Sequence, residues 1–226
     1  MNTVSGDSIS EVYVRLVNHV LEYGSHVTDE RGQDTLECTN MVAEVYNPVS
    51  YSCGLSLPVY KCVKPPVNCF WTGERLMKYC WEFFDSDRRG FVYTYGNRLR
   101  RWFSGIDQID ESIGRLRDFE NTRRAVSITW SPTADTGSDE VPCLMLVDFK
   151  IRNGKLLTTA LWRSHDIFGA WFANVVGLTY LAQYVAEQVG NVTVGSVVVQ
   201  SISAHVYMND YYTALDLVNH NGDCLE

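Results

Sequence analysis

Cys143 is the residue in this chain best suited to covalent chemistry. It stands at the start of an apolar run, CLMLVDFKI, with Arg123 and Arg124 before it and Arg163 and Ser164 after it. A thiolate is the nucleophilic form of cysteine, and neighbouring positive charge lowers the pKa of the thiol. The pattern therefore favours a nucleophile beside a guanidinium group. The alternative is a small apolar residue packed in a sheet.

Arginine dominates the basic residues. The chain has a net charge of −8, yet fourteen of its nineteen basic residues are Arg, and nine of these fall between Arg88 and Arg124. The guanidinium fork matches phosphate and carboxylate groups in two-point contacts. We therefore expect a pocket for a small anionic ligand, or else a solvated surface with ion pairs to nearby Asp. The acidic balance argues against general nucleic-acid binding.

A hairpin is the element that would bring these groups together. The apolar runs 143–151 and 155–164 are separated by Asn-Gly at 153–154. Asn-Gly between two apolar runs is the strongest short-range signal for a β-hairpin. The two strands would then be adjacent, which makes Arg163 a neighbour of Cys143.

The rest of the pattern predicts an α+β fold. Residues 168–189 are apolar nearly all round, as is typical of a buried central helix. Periodicity further predicts helices at 8–24, 73–84 and 107–116, and strands within 35–46, 124–131 and 195–208. Residues 47–72 indicate irregular structure with one or two short strands. The sum is a single domain in which a mixed or largely antiparallel sheet packs around a long buried helix.

Residues 90–212 resemble the catalytic half of the thymidylate synthase family. The family's landmarks occur in order: the arginine pair of NTRRAV, the cysteine of VPC, the run RSHD, the asparagine of WFANVVG, and HVY. Upstream, YGNRLRRW and DQID are similar to the family's tyrosine-glycine segment and the helix after it. The short length and the segments YTYGNRLR and NTRRAV most resemble the archaeal branch. The resemblance implies one thymidylate synthase-like domain over residues 1–226.

The resemblance also implies a reaction. Cys143 would attack carbon 6 of a pyrimidine nucleoside monophosphate, which makes carbon 5 nucleophilic. Carbon 5 would then capture one carbon from a reduced pterin, either 5,10-methylenetetrahydrofolate or a methanopterin analogue. The leading hypothesis is methylation of dUMP to dTMP. No metal is implied.

Five arginine and serine positions are implied to hold the nucleotide phosphate. Arg163, which also favours the thiolate, and Ser164 would bind it directly. Arg123 and Arg124 would reach it from the partner subunit, since the family is usually dimeric, although a monomer is possible for the short branch. Arg31 corresponds, one residue out of register, to a phosphate-binding arginine of the N-terminal loop.

Further positions are implied to bind the base, the sugar and the pterin. Asn174 would read the base edge, His205 and Tyr207 would hydrogen-bond the sugar 3′-hydroxyl, and Asp166 would contact the pterin. Each has a structural alternative: a buried asparagine with other partners, a core histidine, a packed tyrosine and a helix cap. Glu74 is the candidate for the family's catalytic glutamate. Its alternative is a first-turn glutamate favoured by the helix dipole.

Some positions depart from the family's pattern. Leu144 stands where a histidine is usual, Trp162 replaces a glutamine, and His165 occupies a position where Cys or Asn is commoner. The end, NHNGDCLE, is polar where relatives carry an apolar tail that closes over the pterin. These departures motivate a second hypothesis, a 5-hydroxymethyltransferase acting on dCMP, CMP or dUMP. A nucleotide-binding protein without catalysis and a cysteine hydrolase using Cys143 and His205 are the remaining alternatives.

The chain shows no signal for export or membrane insertion. It has no basic-then-apolar leader and no apolar run of ~20 residues, so the expected location is the cytoplasm, with no membrane or nucleic-acid partner. Its seven cysteines should therefore be reduced, without a disulfide framework. Cys53, Cys62 and Cys69 are spaced too widely for a zinc knuckle.

Overall fold

The hairpin predicted at the Asn-Gly pair is present in the computed structural model, which describes residues 2–49 and 57–225. Strand β5 (Leu144–Arg152) pairs antiparallel with β6 (Lys155–Asp166). Asn153 and Gly154 have φ values of 53° and 71°. A two-residue type I′ turn needs positive φ at both central positions, which is why Asn-Gly forms it readily.

One mixed sheet contains all the strands of the described residues. The others are β1 (Asn2–Gly6), β2 (Ser25–Thr28), β3 (Asp34–Val45), β4 (Val126–Ile128) and β7 (Thr193–Tyr207). The order across the sheet is β1-β3-β7-β6-β5-β4, and β2 pairs with β3. The pairs β1–β3 and β6–β7 are parallel and the rest antiparallel, so the α+β prediction with a mixed sheet is confirmed.

The helices include the long apolar one expected near the C-terminal half. They are α1 (Ile9–Tyr23), α2 (Val59–Cys62), α3 (Gly73–Glu82), α4 (Tyr95–Arg100), α5 (Gln108–Asp118), α6 (Pro132–Asp135), α7 (Phe172–Val189) and α8 (Tyr211–His220). Thirteen of the eighteen residues of α7 are buried, which confirms its central place. Ser8 caps α1 in a capping box with Glu11, as its position before the apolar periodicity predicts.

Helices α1, α5 and α7 pack against one face of the sheet. Along β7, Val197, Val199 and Ser201 are buried on that face, whereas Val198 is half-buried and Ile202 is exposed on the other. This alternation follows from the two-residue repeat of a strand. Within residues 2–49 and 57–225, the second face of the sheet is therefore left uncovered.

Several elements differ from the sequence-based expectation. Strands β1 and β2 were not predicted, because their segments NTVSG and SHVT are short and polar. Helix α8 was not predicted either, because it begins only a few residues after the end of β7. The short strands expected within 47–72 are absent from the described part of that range, which contains α2 instead; residues 50–56 lie outside the described residues. Cys62 is disulfide-bonded, so the expectation of fully reduced cysteines is wrong at that residue.

None of the helices in the described ranges has the length and apolar character needed to cross a bilayer.

Candidate active site

Cys143 lies directly before β5, beside the end of β6. Its carbonyl accepts a hydrogen bond of 2.9 Å from the Arg163 backbone N–H. The Arg163 guanidinium donates to the carbonyls of Pro142 at 3.1 Å and Val141 at 3.0 Å, and its Nη2 lies 3.7 Å from Cys143 Sγ. The strand pair and these three contacts hold a positive charge against the sulfur.

Opposing effects act on the Cys143 thiol. Burial raises its pKa, while the Arg163 charge, a hydrogen bond from Tyr93 and the Arg31 charge each lower it, and the net pKa stays above the usual value for cysteine. Tyr93 in turn is affected: burial and the neighbouring sulfur raise its pKa to about 12, so its hydroxyl remains a donor. Arg163, Tyr93 and Arg31 therefore favour the thiolate form, against the cost of burial.

A cavity of about 380 Å³ opens beside Cys143. Six of the residues singled out from the sequence line it, and they come from four separate segments of the chain: Arg31, Cys143, Arg163, Ser164, His205 and Tyr207. The loop between β2 and β3 supplies the first, and the ends of β6 and β7 supply the last four. The sheet brings these residues together because β6 and β7 are adjacent and parallel.

Arg31 is held by a structured turn. The Asp29 carboxylate accepts from the backbone N–H of Arg31 at 2.9 Å and of Gln33 at 2.7 Å. The Arg31 guanidinium reaches the Asp139 carbonyl at 3.4 Å across the mouth of the cavity. The loop therefore presents a second arginine toward Cys143.

His205 and Tyr207 form the opposite wall. Their rings meet edge to face with centroids 5.1 Å apart. His205 Nδ1 lies 3.5 Å from Ser203 Oγ, whose hydroxyl donates to the Glu37 carboxylate. Ser203 and Glu37 also line the cavity and were missed from sequence, because their approach depends on the pairing of β3 with β7.

Asn174 and Asp166 lie behind this wall. Asn174 is 3% exposed, and its amide bonds to Tyr79 and His165. Asp166 accepts from the Gly169 backbone N–H at 2.8 Å and caps the π-helical turn Ile167–Trp171 that leads into α7. Burial raises the pKa of this carboxyl. The capping alternative for Asp166 is thus present in the structure.

Besides Asn174 and Asp166, three further predicted site residues do not line this cavity. Glu74 is exposed on α3 and pairs with Lys78 at 2.9 Å, within the same helix. Arg123 and Arg124 are exposed just before β4, and neither side chain forms an ion pair within the described ranges. Glu74 stands in the first turn of α3, where the helix dipole favours a negative charge, which is the structural alternative considered for it.

A second cavity, of about 300 Å³, adjoins the first through Tyr93. Glu82 and Glu140 contribute carboxylates to its lining. The rest of the wall is mainly aromatic and apolar and includes Tyr79, Phe91, Val92, Tyr93 and Tyr95. Partial burial raises the pKa of Glu82. The clustering of tyrosines in YTYG was the only sequence signal for this region. Among residues 2–49 and 57–225, no three His, Cys, Asp or Glu side chains are grouped closely enough to hold a metal ion.

The chain is similar to known proteins along most of its length. The sequence profile described as thymidylate synthase matches residues 70–222. A protein of Methanothermobacter marburgensis named "Putative thymidylate synthase" is 49% identical over 218 residues, covering 95% of this chain and 97% of its own. Proteins with the same name from Methanothermobacter thermautotrophicus and Methanocaldococcus jannaschii are 48% and 34% identical, over 96% and 92% of this chain and 98% and 92% of their own.

The profile spans more than half of the chain, and the relatives align with nearly all of it. A cysteine beside a guanidinium, in a cavity that holds further arginine, serine, histidine and tyrosine side chains, is consistent with an enzyme of this type. The chain belongs to the thymidylate synthase family.

Proposed function

We propose that this protein methylates dUMP to dTMP, using Cys143 as a covalent nucleophile. The observation that carries the proposal is the contact between the Arg163 guanidinium and Cys143 Sγ at the wall of a nucleotide-sized cavity. A thiol needs such a partner to react as thiolate. The cavity also presents Arg31 and Ser164, which suit a phosphate group.

Cys143 begins the reaction. Its sulfur forms a bond to carbon 6 of the pyrimidine, and the electron pair of the 5,6 double bond moves to carbon 5 and into the 4-carbonyl. Tyr93 stands at the sulfur with a hydroxyl that stays protonated, so it can stabilise the thiolate before attack. Splitting the transfer into addition and later release is the advantage of covalent catalysis.

The phosphate would lie between Arg163, Ser164 and Arg31. Arg163 lies on strand β6 and Arg31 on the loop between β2 and β3, so two guanidinium groups can make two-point contacts from different directions and fix the orientation of the nucleotide. Arg123 and Arg124 would complete the site from a partner subunit, because both are exposed and unpaired within the described residues beside the uncovered face of the sheet. His205 and Tyr207 would bind the sugar hydroxyl.

The aromatic cavity beside Tyr93 suits the reduced pterin. Its flat apolar walls, with the Glu82 carboxylate at one side, fit a planar ring that carries several N–H donors. When bound, the pterin would supply one carbon, and in the methylase also a hydride. Glu82, whose pKa is raised, is better placed than Glu74 to exchange protons there. Asp166 remains a proposed pterin contact.

One observation favours the second hypothesis, a 5-hydroxymethyltransferase. The segment after α8 packs against α1, where Arg15 Nε donates to the Cys224 carbonyl at 2.6 Å, and Asn221 bonds to the Val67 backbone at 2.9 and 3.0 Å. Residues 221–224 are therefore committed to a surface other than the Cys143 cavity. A less covered intermediate is open to water, which would give hydroxymethyl instead of methyl.

Mass spectrometry of the products separates the two hypotheses. The protein is incubated with dUMP, dCMP or CMP and a methylene-carrying tetrahydrofolate or tetrahydromethanopterin, with Cys143→Ser as the blank. We expect a gain of one methyl on dUMP together with the dihydro form of the pterin. Hydroxymethyl on any nucleotide would assign the alternative activity. Absence of every product, together with no nucleotide binding, would contradict both.

A further inference from the structure

A buried chain of hydrogen bonds runs from beside Cys143 into the core. The Tyr79 hydroxyl on α3 donates to Asn174 Oδ1 on α7. Asn174 Nδ2 lies 3.0 Å from His165 Nε2 on β6, and His165 Nδ1 lies 2.9 Å from Ser201 Oγ on β7. Four separate elements of the fold thus contribute one member each, and we refer to the four as the Tyr79–Ser201 chain.

The donors and acceptors of the Tyr79–Ser201 chain can be assigned in one consistent direction. An amide nitrogen can only donate, so His165 Nε2 must carry the lone pair and Nδ1 must carry the hydrogen, which it gives to Ser201. Burial, together with the nearby His205, lowers the pKa of His165, so the ring is neutral and has a single proton to place. His165 also stacks on Trp162 at 4.6 Å between centroids, which fixes the plane of its ring.

The orientation of an amide decides which pyrimidine it can read. Uracil offers a donor at N3 and an acceptor at O4, whereas cytosine offers an acceptor at N3 and a donor at N4. Exchanging the oxygen and nitrogen of an asparagine exchanges the base that it matches. After its bonds to Tyr79 and His165, Asn174 still has one N–H and one lone pair for a ligand.

We propose that Tyr79 and His165 are positioning residues that lock the Asn174 amide so that it pairs with uracil and not with cytosine. The inference rests on the proposed function and on the role that the resemblance implies for Asn174, which is to read the base. Turning the amide over would require every member to exchange donor and acceptor roles, including a change of tautomer at His165. In the reversed arrangement the Tyr79 hydroxyl would accept from Asn174, and its hydrogen, which now goes to Asn174 Oδ1, would need another acceptor in a buried place. A buried polar group left unpaired is costly, so the reversed pairing is disfavoured.

The test compares two variants with a matched control. Tyr79→Phe removes only the hydroxyl that donates to Asn174 Oδ1. His165→Gln replaces the ring nitrogen that accepts from Asn174 with a side-chain amide, which can either donate or accept after a rotation of its terminal group. Tyr13→Phe is the control, because Tyr13 on α1 is another buried tyrosine, and its hydroxyl donates to the Phe168 carbonyl and not to the Tyr79–Ser201 chain. Circular dichroism and thermal unfolding establish that each variant folds.

The readout is base selectivity. The dissociation constants of dUMP and dCMP are measured by calorimetry, and kcat/KM by release of tritium from carbon 5, which either proposed activity would displace. We expect the wild-type protein to prefer dUMP and both variants to lower the dUMP/dCMP ratio by about five- to tenfold, the effect of one hydrogen bond. Tyr13→Phe should leave the ratio unchanged.

A second readout is independent of ligand. Histidine-selective ¹⁵N NMR, assigned by the loss of signals in His165→Gln, should show His165 as the neutral tautomer protonated on Nδ1. A proton on Nε2, or an unchanged ratio in a folded variant, overturns the inference while the proposed function stands. A wild-type preference for dCMP would count against methylation of dUMP as well as against this inference. Failure of the wild-type protein to bind either nucleotide would instead overturn the proposed function, and this inference with it.

Discussion

At the residue level, the site depends on the contact between Arg163 and Cys143. The guanidinium is fixed by two backbone carbonyls, so its position does not depend on the presence of a ligand. A cation that is already in place lowers the pKa of the thiol without further reorganisation. Because burial acts in the opposite direction, the Arg163 charge decides how much thiolate is present near neutral pH.

The reactivity of Cys143 should therefore rise with pH and depend on Arg163. The thiol has a raised pKa, so the thiolate fraction grows as the pH increases toward that pKa. In Arg163→Gln, loss of the positive charge raises the pKa further, moves the profile to higher pH and slows alkylation several-fold at pH 7. Iodoacetamide labelling followed by peptide mass spectrometry measures this at Cys143 alone. Arg152→Gln, a remote arginine on β5, should match the wild-type profile; equal profiles for both variants would contradict the assignment.

The two candidate glutamates should behave differently. Glu74→Gln removes an exposed carboxylate paired with Lys78 and should leave kcat/KM within about twofold, since exposed pairs contribute ~0.2–1 kcal/mol. Glu82→Gln removes a carboxyl from the aromatic cavity and should lower kcat by about 100-fold, typical of a group that moves protons. Steady-state kinetics on both variants decides between them. The reverse pattern would restore Glu74 as the catalytic glutamate.

The residues found from sequence and those missed differ in how they reach the cavity. Arg163 could be placed beside Cys143 because a two-residue turn joins their strands, which is local information. Tyr93 and Ser203 approach from parts of the chain joined only by long-range packing. Glu74 was the candidate because the family's catalytic glutamate lies on an early helix. Glu82 was missed because the spacing of residues in a sequence does not show which side chains face a cavity.

At the level of elements, α3 and α7 are in close contact, and the fit is made possible by Gly177. A Cβ at this position would lie 2.6 Å from the buried ring of Phe83, directly after α3. The Tyr79 ring lies 6.2 Å from that of Phe83, so a displacement there would also reach the Tyr79–Ser201 chain. The glycine is thus a packing requirement in the interior of a helix.

Gly177→Ala should lower the free energy of unfolding by ~1–3 kcal/mol, the usual cost of overpacking a core. Gly114→Ala on α5 is the matched control, since nothing lies within 4 Å of its Cβ position. This second substitution should raise the free energy of unfolding by ~0.5–1 kcal/mol through helix propensity. Urea denaturation followed by circular dichroism measures both. Equal effects would show that Phe83 moves aside freely.

Periodicity located most of the helices and strands, but it could not identify every edge. The apolar repeat of α7 and the strand patterns of β5, β6 and β7 are strong, because these elements are buried. β1 and β2 lie at the edge and are stabilised chiefly by backbone pairing with β3, which requires no apolar side chains. Both strands form because the fold places them beside β3, and the amino-acid composition of their segments does not indicate it.

At the level of the whole molecule, one face of the sheet is not covered by any helix of the described residues. Val126, Ile128 and Ile202 are each 40–43% exposed on β4 and β7. Exposed apolar side chains on an open face of a sheet are typical of an interface. Arg123 and Arg124 directly precede β4, so a second copy on this face would lie close to both of them.

We therefore expect a homodimer in solution. Ile202→Asp places a charge on the uncovered face and should convert the dimer to monomer, because burying an unpaired carboxylate is strongly unfavourable. Sedimentation velocity measures the change. Tyr212→Asp, on an 82% exposed residue of α8, is the control and should not alter the mass. A wild-type monomer would contradict both the dimer and the role proposed for Arg123 and Arg124.

The place of β7 in the sheet has a consequence for biogenesis. It is the last strand of the chain, yet it lies between β3 and β6. While a ribosome is still synthesising residues 193–207, the two halves of the sheet have no strand to join them, and both β3 and β6 present open backbone edges. Such edges recruit strands from other chains, and closing contacts this distant in sequence is slow. The nascent protein is therefore most prone to aggregation just before its final strand emerges.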